Sequence, residues 1–322
     1  MAVNHQEPIV VACAANASYA MPLAVMLRSA ATHLDCERRL VAYVVDDGIA
    51  PDDKRRVIQS LPERASVNWI EPRRENFDGL PLWGRMPITT YDRLRIGEFL
   101  PAEAHRAIWL DCDLLVLADL SALWDRPFSG AMAMAVQDSL VPFVSSRFGV
   151  GGYDELGIQP DTPYFNAGMM VIDVDKWRTV GISHLTLEYL KKYHRRVFFW
   201  DQEALNAVLT GKWTPLEPRW NWSANLDRLA GSSAHQRHPM AAQARVIHFN
   251  GNIKPWLVND GGNLDVAYFE MLDETAWAGW RPARTMRSRL LGWYGSSRVR
   301  RLLYPAEQWG VQLLWRLTKR DS

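Results

Sequence analysis

The sequence predicts an α/β protein: a mainly parallel sheet with helices on both faces. Three observations carry this expectation. Apolar runs of strand length recur from Pro8 to Gly251, helix-like stretches lie between them, and polar residues gather where the runs end. Strands that are apolar throughout suit a sheet buried on both sides, and their alternation with helices suits parallel βα units.

The elements follow in chain order. "PIVVACAA" (Pro8 to Ala15) reads as the first buried strand, and "LAVMLRSAATHL" after Pro22 as a helix. "RLVAYVVDD" (Arg39 to Asp47) is the second strand. "PDDKRRVIQSL" opens a helix, with Pro51 presetting φ at its start and acids in its first turn. "SVNWIEP" is strand-like, and "TYDRLRIGEFL" (Thr90 to Leu100) has helical spacing. "RAIWL", "AMAMAVQD" (Ala131 to Asp138), "NAGMMVIDV" (Asn166 to Val174) and "ARVIHFNG" (Ala244 to Gly251) complete the predicted strands.

Composition narrows the function. The chain has 322 residues, 48% of them hydrophobic, and a net charge of +1, so no global charge pattern points to nucleic acid. Three cysteines (Cys13, Cys36 and Cys112) form no spaced framework, which fits a reducing, cytoplasmic compartment. The N-terminus shows no signal-peptide pattern, and no apolar run is long enough to span a bilayer. Charge is nevertheless uneven. From Arg281 to Ser322 there are ten basic and two acidic residues, a charge of +8 that leaves −7 on the remainder. The expected division is a body over residues 1–280 and a basic, helical tail over 281–322. Trp293, Trp309 and Trp315 and Leu290, Leu291, Leu302, Leu303, Leu313 and Leu314 lie among the tail's charges, so the tail is expected to lie on an anionic membrane surface at its cytoplasmic face.

In open parallel sheets, ligands bind beyond the carboxyl ends of the strands. Here Asp46, Asp47, Asp138 and His248 sit at predicted strand ends, and Asp111 and Asp113 follow "AIWL". Two carboxylates inside an apolar run need a partner, because burying like charges together is costly. At positions i and i+2 of an extended segment they point the same way. With an imidazole they make a donor set suited to manganese or magnesium, with phosphate oxygens completing the shell. An isolated DxD is a common motif, and the apolar flanks on both sides give this one its weight.

Five stretches then resemble, in order, the family 8 retaining glycosyltransferases, the bacterial lipopolysaccharide galactosyltransferases among them. They are "ITTYDRLRIGEFL", "WLDCDLLVLADLSALWD", "YFNAGMMVIDVDKWR", "WDQEALNAVL" and "HFNGNIKPW". The resemblance implies a GT-A fold and a UDP-sugar donor. It implies that Asp111, Asp113 and His248 hold Mn2+, with Mg2+ the other candidate, and that Lys254 and Gly251 approach the diphosphate. Ala14, Asn16, Tyr19, Arg93 and Cys112 fall on the nucleotide side. Asp138, Asn166, Asp201 and Gln202 fall on the donor sugar. Gln202 and Asp201 are the expected catalytic positions. An amide is a poor nucleophile, so the route implied is front-face transfer, with Asp201 as the alternative nucleophile. Each residue also has a structural explanation: a helix cap for Asp201, a turn for Asn166, a surface charge for Arg93, a solvated loop for Lys254 and a satisfied core histidine for His248. Asp119 and Asp125 read as caps.

One departure stands out. The family's first strand usually ends in acids that read the uracil, whereas this chain has "AANASYA", with Asn16 in place of an aspartate. The expected function is metal-dependent transfer of galactose or glucose from a UDP-hexose to a saccharide or glycolipid of a bacterial surface glycan. A nucleotide-sugar-binding protein with impaired catalysis and a divalent-metal phosphoesterase are the alternatives.

Overall fold

The computed structural model describes residues 7–35, 37–84, 86–225, 243–258 and 263–283, together with 285, 286, 288 and 310. Cys36 and nearly all of the basic tail, including its three tryptophans and all of its leucines, lie outside the described residues. Strand β1 (Ile9–Asn16) runs parallel to β2 (Leu40–Asp47), which runs parallel to β3 (Ala65–Ile70). The chain then crosses to the other side of β1, where β4 (Arg106–Leu110) is also parallel. Beyond it lie β7 (Phe165–Asp173), β6 (Ala133–Gln137) and β8 (Trp213–Leu216), giving the order β3-β2-β1-β4-β7-β6-β8.

The sheet is mainly parallel, as expected, but β7 is antiparallel to both β4 and β6. That reversal brings the start of β7 to the end of the sheet where β1, β4 and β6 finish. Its pairing with β6 slips between Ala135 and Val136, so residues 167–169 bulge out of the ladder. Bulges of this kind re-aim side chains beside functional sites. The final predicted strand is shorter than expected and leaves the main sheet. β10 (Val246–His248) pairs with β5 (Leu114–Val116) and β9 (Trp222–Ser223) in a second, three-stranded sheet.

Alternation along β1 explains why both faces are covered. Ile9, Val11, Cys13 and Ala15 enter one core with α1 (Ala20–Thr32) and α8 (Asn263–Leu272), while Ala12 enters the other. The second core takes the apolar sides of α5 (Val174–Val180), α6 (Ile182–Lys192) and α7 (Trp200–Val208). Helix α1 starts at Ala20, two residues ahead of Pro22, which a first turn tolerates because its N–H groups have no helical partner. In α2 (Pro51–Gln59) proline and both acids occupy the first turn. The stretch read as a helix from Thr90 is instead a 3-10 helix over Ile88–Arg95 leading into the short α3 (Ile96–Phe99). This segment is buried on all sides from Thr89 to Leu94, Thr90, Asp92 and Arg93 included. Asp119 caps the start of α4 (Ser121–Trp124) through a 2.8 Å bond from Ser121 N–H. Asp125 differs: it ends α4 and pairs with the buried Arg38 at 2.7 Å.

Candidate active site

The topology converges its polar residues at the switch between β1 and β4, which is where open α/β sheets bind ligands. Asp111 follows β4 and is anchored by its N–H to Gly168 O on the bulge, at 2.8 Å. Its Oδ1 accepts from Trp109 Nε1 (2.8 Å) and meets Arg93 Nη2 at 2.9 Å. Asp113 faces the second sheet, where β10 pairs His248 with Leu114. Asp113 Oδ2 is ion-paired to Lys254, whose ammonium also donates to Phe249 O at 2.6 Å. Asp113 Oδ1 lies 3.3 Å from His248 Nε2 but is buried with no aligned donor. Burial works against the charge of Asp113, yet the Lys254 ammonium holds its carboxyl well below the ordinary range.

Ligand atoms of Asp111, Asp113 and His248 all lie within 4.8 Å of one another. Two carboxylates, an imidazole and an orphaned buried oxygen fit a hard divalent cation. Lys254, which alone would read as a solvated lysine, is 7% exposed. Tyr19 lies close enough to Asp113, Cys112 and Asp111 that, after burial, their charges raise its hydroxyl further above its ordinary pKa. Cys112 Sγ donates to Ala14 O at 3.3 Å, tying the Asp-Cys-Asp segment to β1.

A second group surrounds the start of β7. Asp138 Oδ2 accepts from Asn166 Nδ2 (2.9 Å) and Gln202 Nε2 (3.2 Å), while its Oδ1 takes the N–H groups of Leu140 and Val141. Gln202 Oε1 accepts Ala167 N–H at 3.0 Å. Asn166 is a strand residue beside the bulge, not a turn residue. Asp201 is not a cap either, since α7 begins at Trp200, whose φ of +39° makes a strained entry to the helix. Asp201 instead accepts from Thr90 Oγ1 and lies 2.6 Å from Arg93 Nε, a contact of charges rather than an aligned hydrogen bond. Burial raises its pKa, while Arg93 and Thr90 oppose that. Arg93, expected alone to be a surface charge, is buried and bridges Asp111, Asp201 and Ala167 O. Desolvation disfavours its charge, and the flanking carboxylates more than restore it.

Two expected residues stand apart. Asn16 Oδ1 caps the next turn through Ser18 N–H and Oγ (3.1 and 2.7 Å), and Asn16 pairs across the strands with Asp47. Gly251 has φ +80°, and a Cβ placed there would lie 3.5 Å from the Asn225 side chain.

The structure also adds residues. Asn221 links Asn166 to His248, at 2.9 and 3.0 Å. Gly168 lets the histidine ring lie against β7: a Cβ there would meet His248 Cε1 at 2.3 Å. A lone glycine inside "NAGMMVIDV" is a legible sign of a bulge or close approach, whereas nothing local marks Asn221. Asn221, Ser223 and Asn250 line an open depression with Asp138, Asn166 and His248.

The profile described as "Glycosyl transferase family 8" matches residues 10–260. General stress protein A of Bacillus subtilis is 29% identical over 282 residues, 83% of this chain and 94% of that protein. The lipopolysaccharide 1,2-glucosyltransferase of Escherichia coli is 25% identical over 265 residues, 79% of this chain and 74% of that protein. Among solved structures, galactosyltransferase LgtC in complex with donor and acceptor sugar analogues superposes with a TM-score of 0.69 at 25% identity, covering 90% of this chain and all of that one.

Proposed function

We propose, from the premise that the chain belongs to glycosyl transferase family 8, that this GT-A-fold hexosyltransferase works with a divalent metal and retains the anomeric configuration. Its donor is a UDP-hexose, with UDP-galactose ahead of UDP-glucose, and its acceptor a saccharide or glycolipid of a bacterial surface glycan. The observation that carries the reading is the meeting of Asp111 and Asp113 with His248 from two segments far apart in the chain, with Lys254 beside them.

These residues would hold Mn2+ or Mg2+, which when bound supplies positive charge to a departing diphosphate. Lys254 adds an ammonium on the same side. Asp138, Asn166 and Gln202 form a pre-bonded polar cradle for the donor sugar, so binding costs little reorganisation. Their internal bonds also argue about the route. Gln202 uses both ends of its amide, and both Asp201 oxygens face Thr90 or Arg93. Both side chains are held by these neighbours and an amide is a poor nucleophile, which supports front-face transfer, in which the leaving diphosphate oxygen takes the acceptor's proton. Arg93 holds Asp201 and Asp111 in register.

The test is a nucleotide-sugar screen with and without Mn2+, read by thermal shift and by release of UDP. Stabilisation by UDP-galactose or UDP-glucose that depends on Mn2+, followed by transfer to a saccharide, is the expected result. Binding without turnover would favour the impaired-enzyme reading, which gains support from the use of Asn16 as a cap. Residues 281–322 are proposed to bring the enzyme to an anionic membrane surface. Among the described residues no helix is long and apolar enough to cross a membrane.

A further inference from the structure

We propose that Asn221 is a positioning residue that fixes the tautomer of His248, so that Nε2 presents a lone pair to the cation; this rests on the metal reading above. Hydrogens and amide orientations follow from the network of partners, and here the network has one consistent solution. Gly168 N–H can only donate, so the Asn166 side-chain atom 3.0 Å away is Oδ1. Asn166 Nδ2 then points at Asp138 Oδ2, a carboxylate oxygen that accepts, at 2.9 Å. Asn166 Oδ1 also meets Asn221 at 2.9 Å, so that atom of Asn221 is Nδ2. Asn221 Oδ1 is therefore left facing His248 Nδ1 at 3.0 Å, and Nδ1 carries the proton. A neutral imidazole protonated at Nδ1 has its lone pair on Nε2.

Nε2 lies 3.3 Å from Asp113 Oδ1, the buried oxygen without an aligned donor. Two acceptors so placed repel unless a cation lies between them. A backbone amide on the bulge thus dictates, through two asparagines, which imidazole nitrogen is free to ligate. Partners of this kind orient metal-binding histidines generally, and their loss weakens metal binding by about 10–100-fold.

The experiment counts free Mn2+ by electron paramagnetic resonance in titrations without nucleotide, with melting in EDTA as the measure of fold. Asn221→Leu keeps the volume but removes the acceptor, and is expected to weaken Mn2+ affinity about 10–100-fold. Asn221→Asp keeps an oxygen for Nδ1–H but sets a second oxygen against Asn166 Oδ1 in place of Nδ2, so it is expected to lose less Mn2+ affinity than Asn221→Leu. A purely steric role would spare Asn221→Asp too, so the distinction rests on whether Asn221→Leu loses Mn2+ affinity at an unchanged melting point in EDTA. If leucine lowers the melting point in EDTA, Asn221→Ala removes the same acceptor without bulk and carries the comparison. Wild-type affinity in both Asn221→Leu and Asn221→Ala, or equal loss in Asn221→Asp, overturns the proposal while His248→Ala still loses Mn2+. Undiminished Mn2+ binding by His248→Ala overturns the metal reading itself.

Discussion

Gly168→Ala is expected to damage metal binding through one methyl group. Gly168 is not in the left-handed region, so its backbone accepts alanine; the obstacle is the histidine ring. The new Cβ would lie 2.3 Å from His248 Cε1 and 2.9 Å from Nδ1. Carbon atoms settle at roughly 3.5 Å or more, so the ring must retreat by over about 1 Å. Metal sites tolerate ligand displacements of only about 0.2 Å. The ring cannot shift without breaking the 3.0 Å bond to Asn221 or moving Nε2 off Asp113. Overpacking of this sort costs about 1–3 kcal/mol of stability, and misplacement by about 1 Å can cost about 10²-fold in rate. A double-mutant cycle with His248→Ala isolates the cause. Denaturant melts and Mn2+ titrations of Gly168→Ala, His248→Ala and the double variant should show strong non-additivity, because alanine at 248 removes the obstacle. Additive effects, or wild-type Mn2+ affinity in Gly168→Ala, would refute the reasoning.

Other expectations concern separate parts of the molecule. Asp113→Ala should abolish transfer and EDTA should mimic it; wild-type turnover after exhaustive chelation would remove the metal assignment. Asn16→Asp should tighten UDP binding, and an unchanged UDP affinity and donor preference would mean that this position does not read the base. Glu203 is fully buried, and burial raises its pKa to about 7 against the hydrogen bonds it accepts. The folded protein therefore keeps a proton that the unfolded chain releases near 4.5, so stability falls as pH rises from there to about 7 and then levels. At roughly 1.4 kcal/mol per pH unit the drop is about 3 kcal/mol, and Glu203→Gln should flatten it in urea melts across that window; an unchanged slope would acquit Glu203. Full-length protein should pellet with anionic vesicles at low salt and a version ending at residue 283, which keeps the Arg281–Asp273 pair, should not; equal pelleting would make the tail structural.

What could be read along the chain followed from local physics. Apolar runs broken by proline and acids placed β1, β2, α1 and α2, because strand and helix periodicity are short-range. Asp111 and Asp113 were legible because charge inside apolar sequence needs a reason, and His248 because it sits at a predicted strand end, whereas Lys254 was marked only by the family resemblance. Arg93, Asp201 and Asn166 were legible only in part. Their positions were marked, but a surface charge, a cap and a turn described them equally well until burial was known.

The sequence by itself determined the α/β layering and the chemical types at the strand ends. Only the tertiary structure decided that β7 runs antiparallel, that its bulge carries Gly168 against His248, and that β10 leaves the main sheet to bring His248 beside Asp113. Strand direction and register are set by pairing between segments far apart in the chain, which local propensity does not encode. For the same reason Asn221, between "RW" and "WS", gave no sign of the bond that orients His248, 27 residues away.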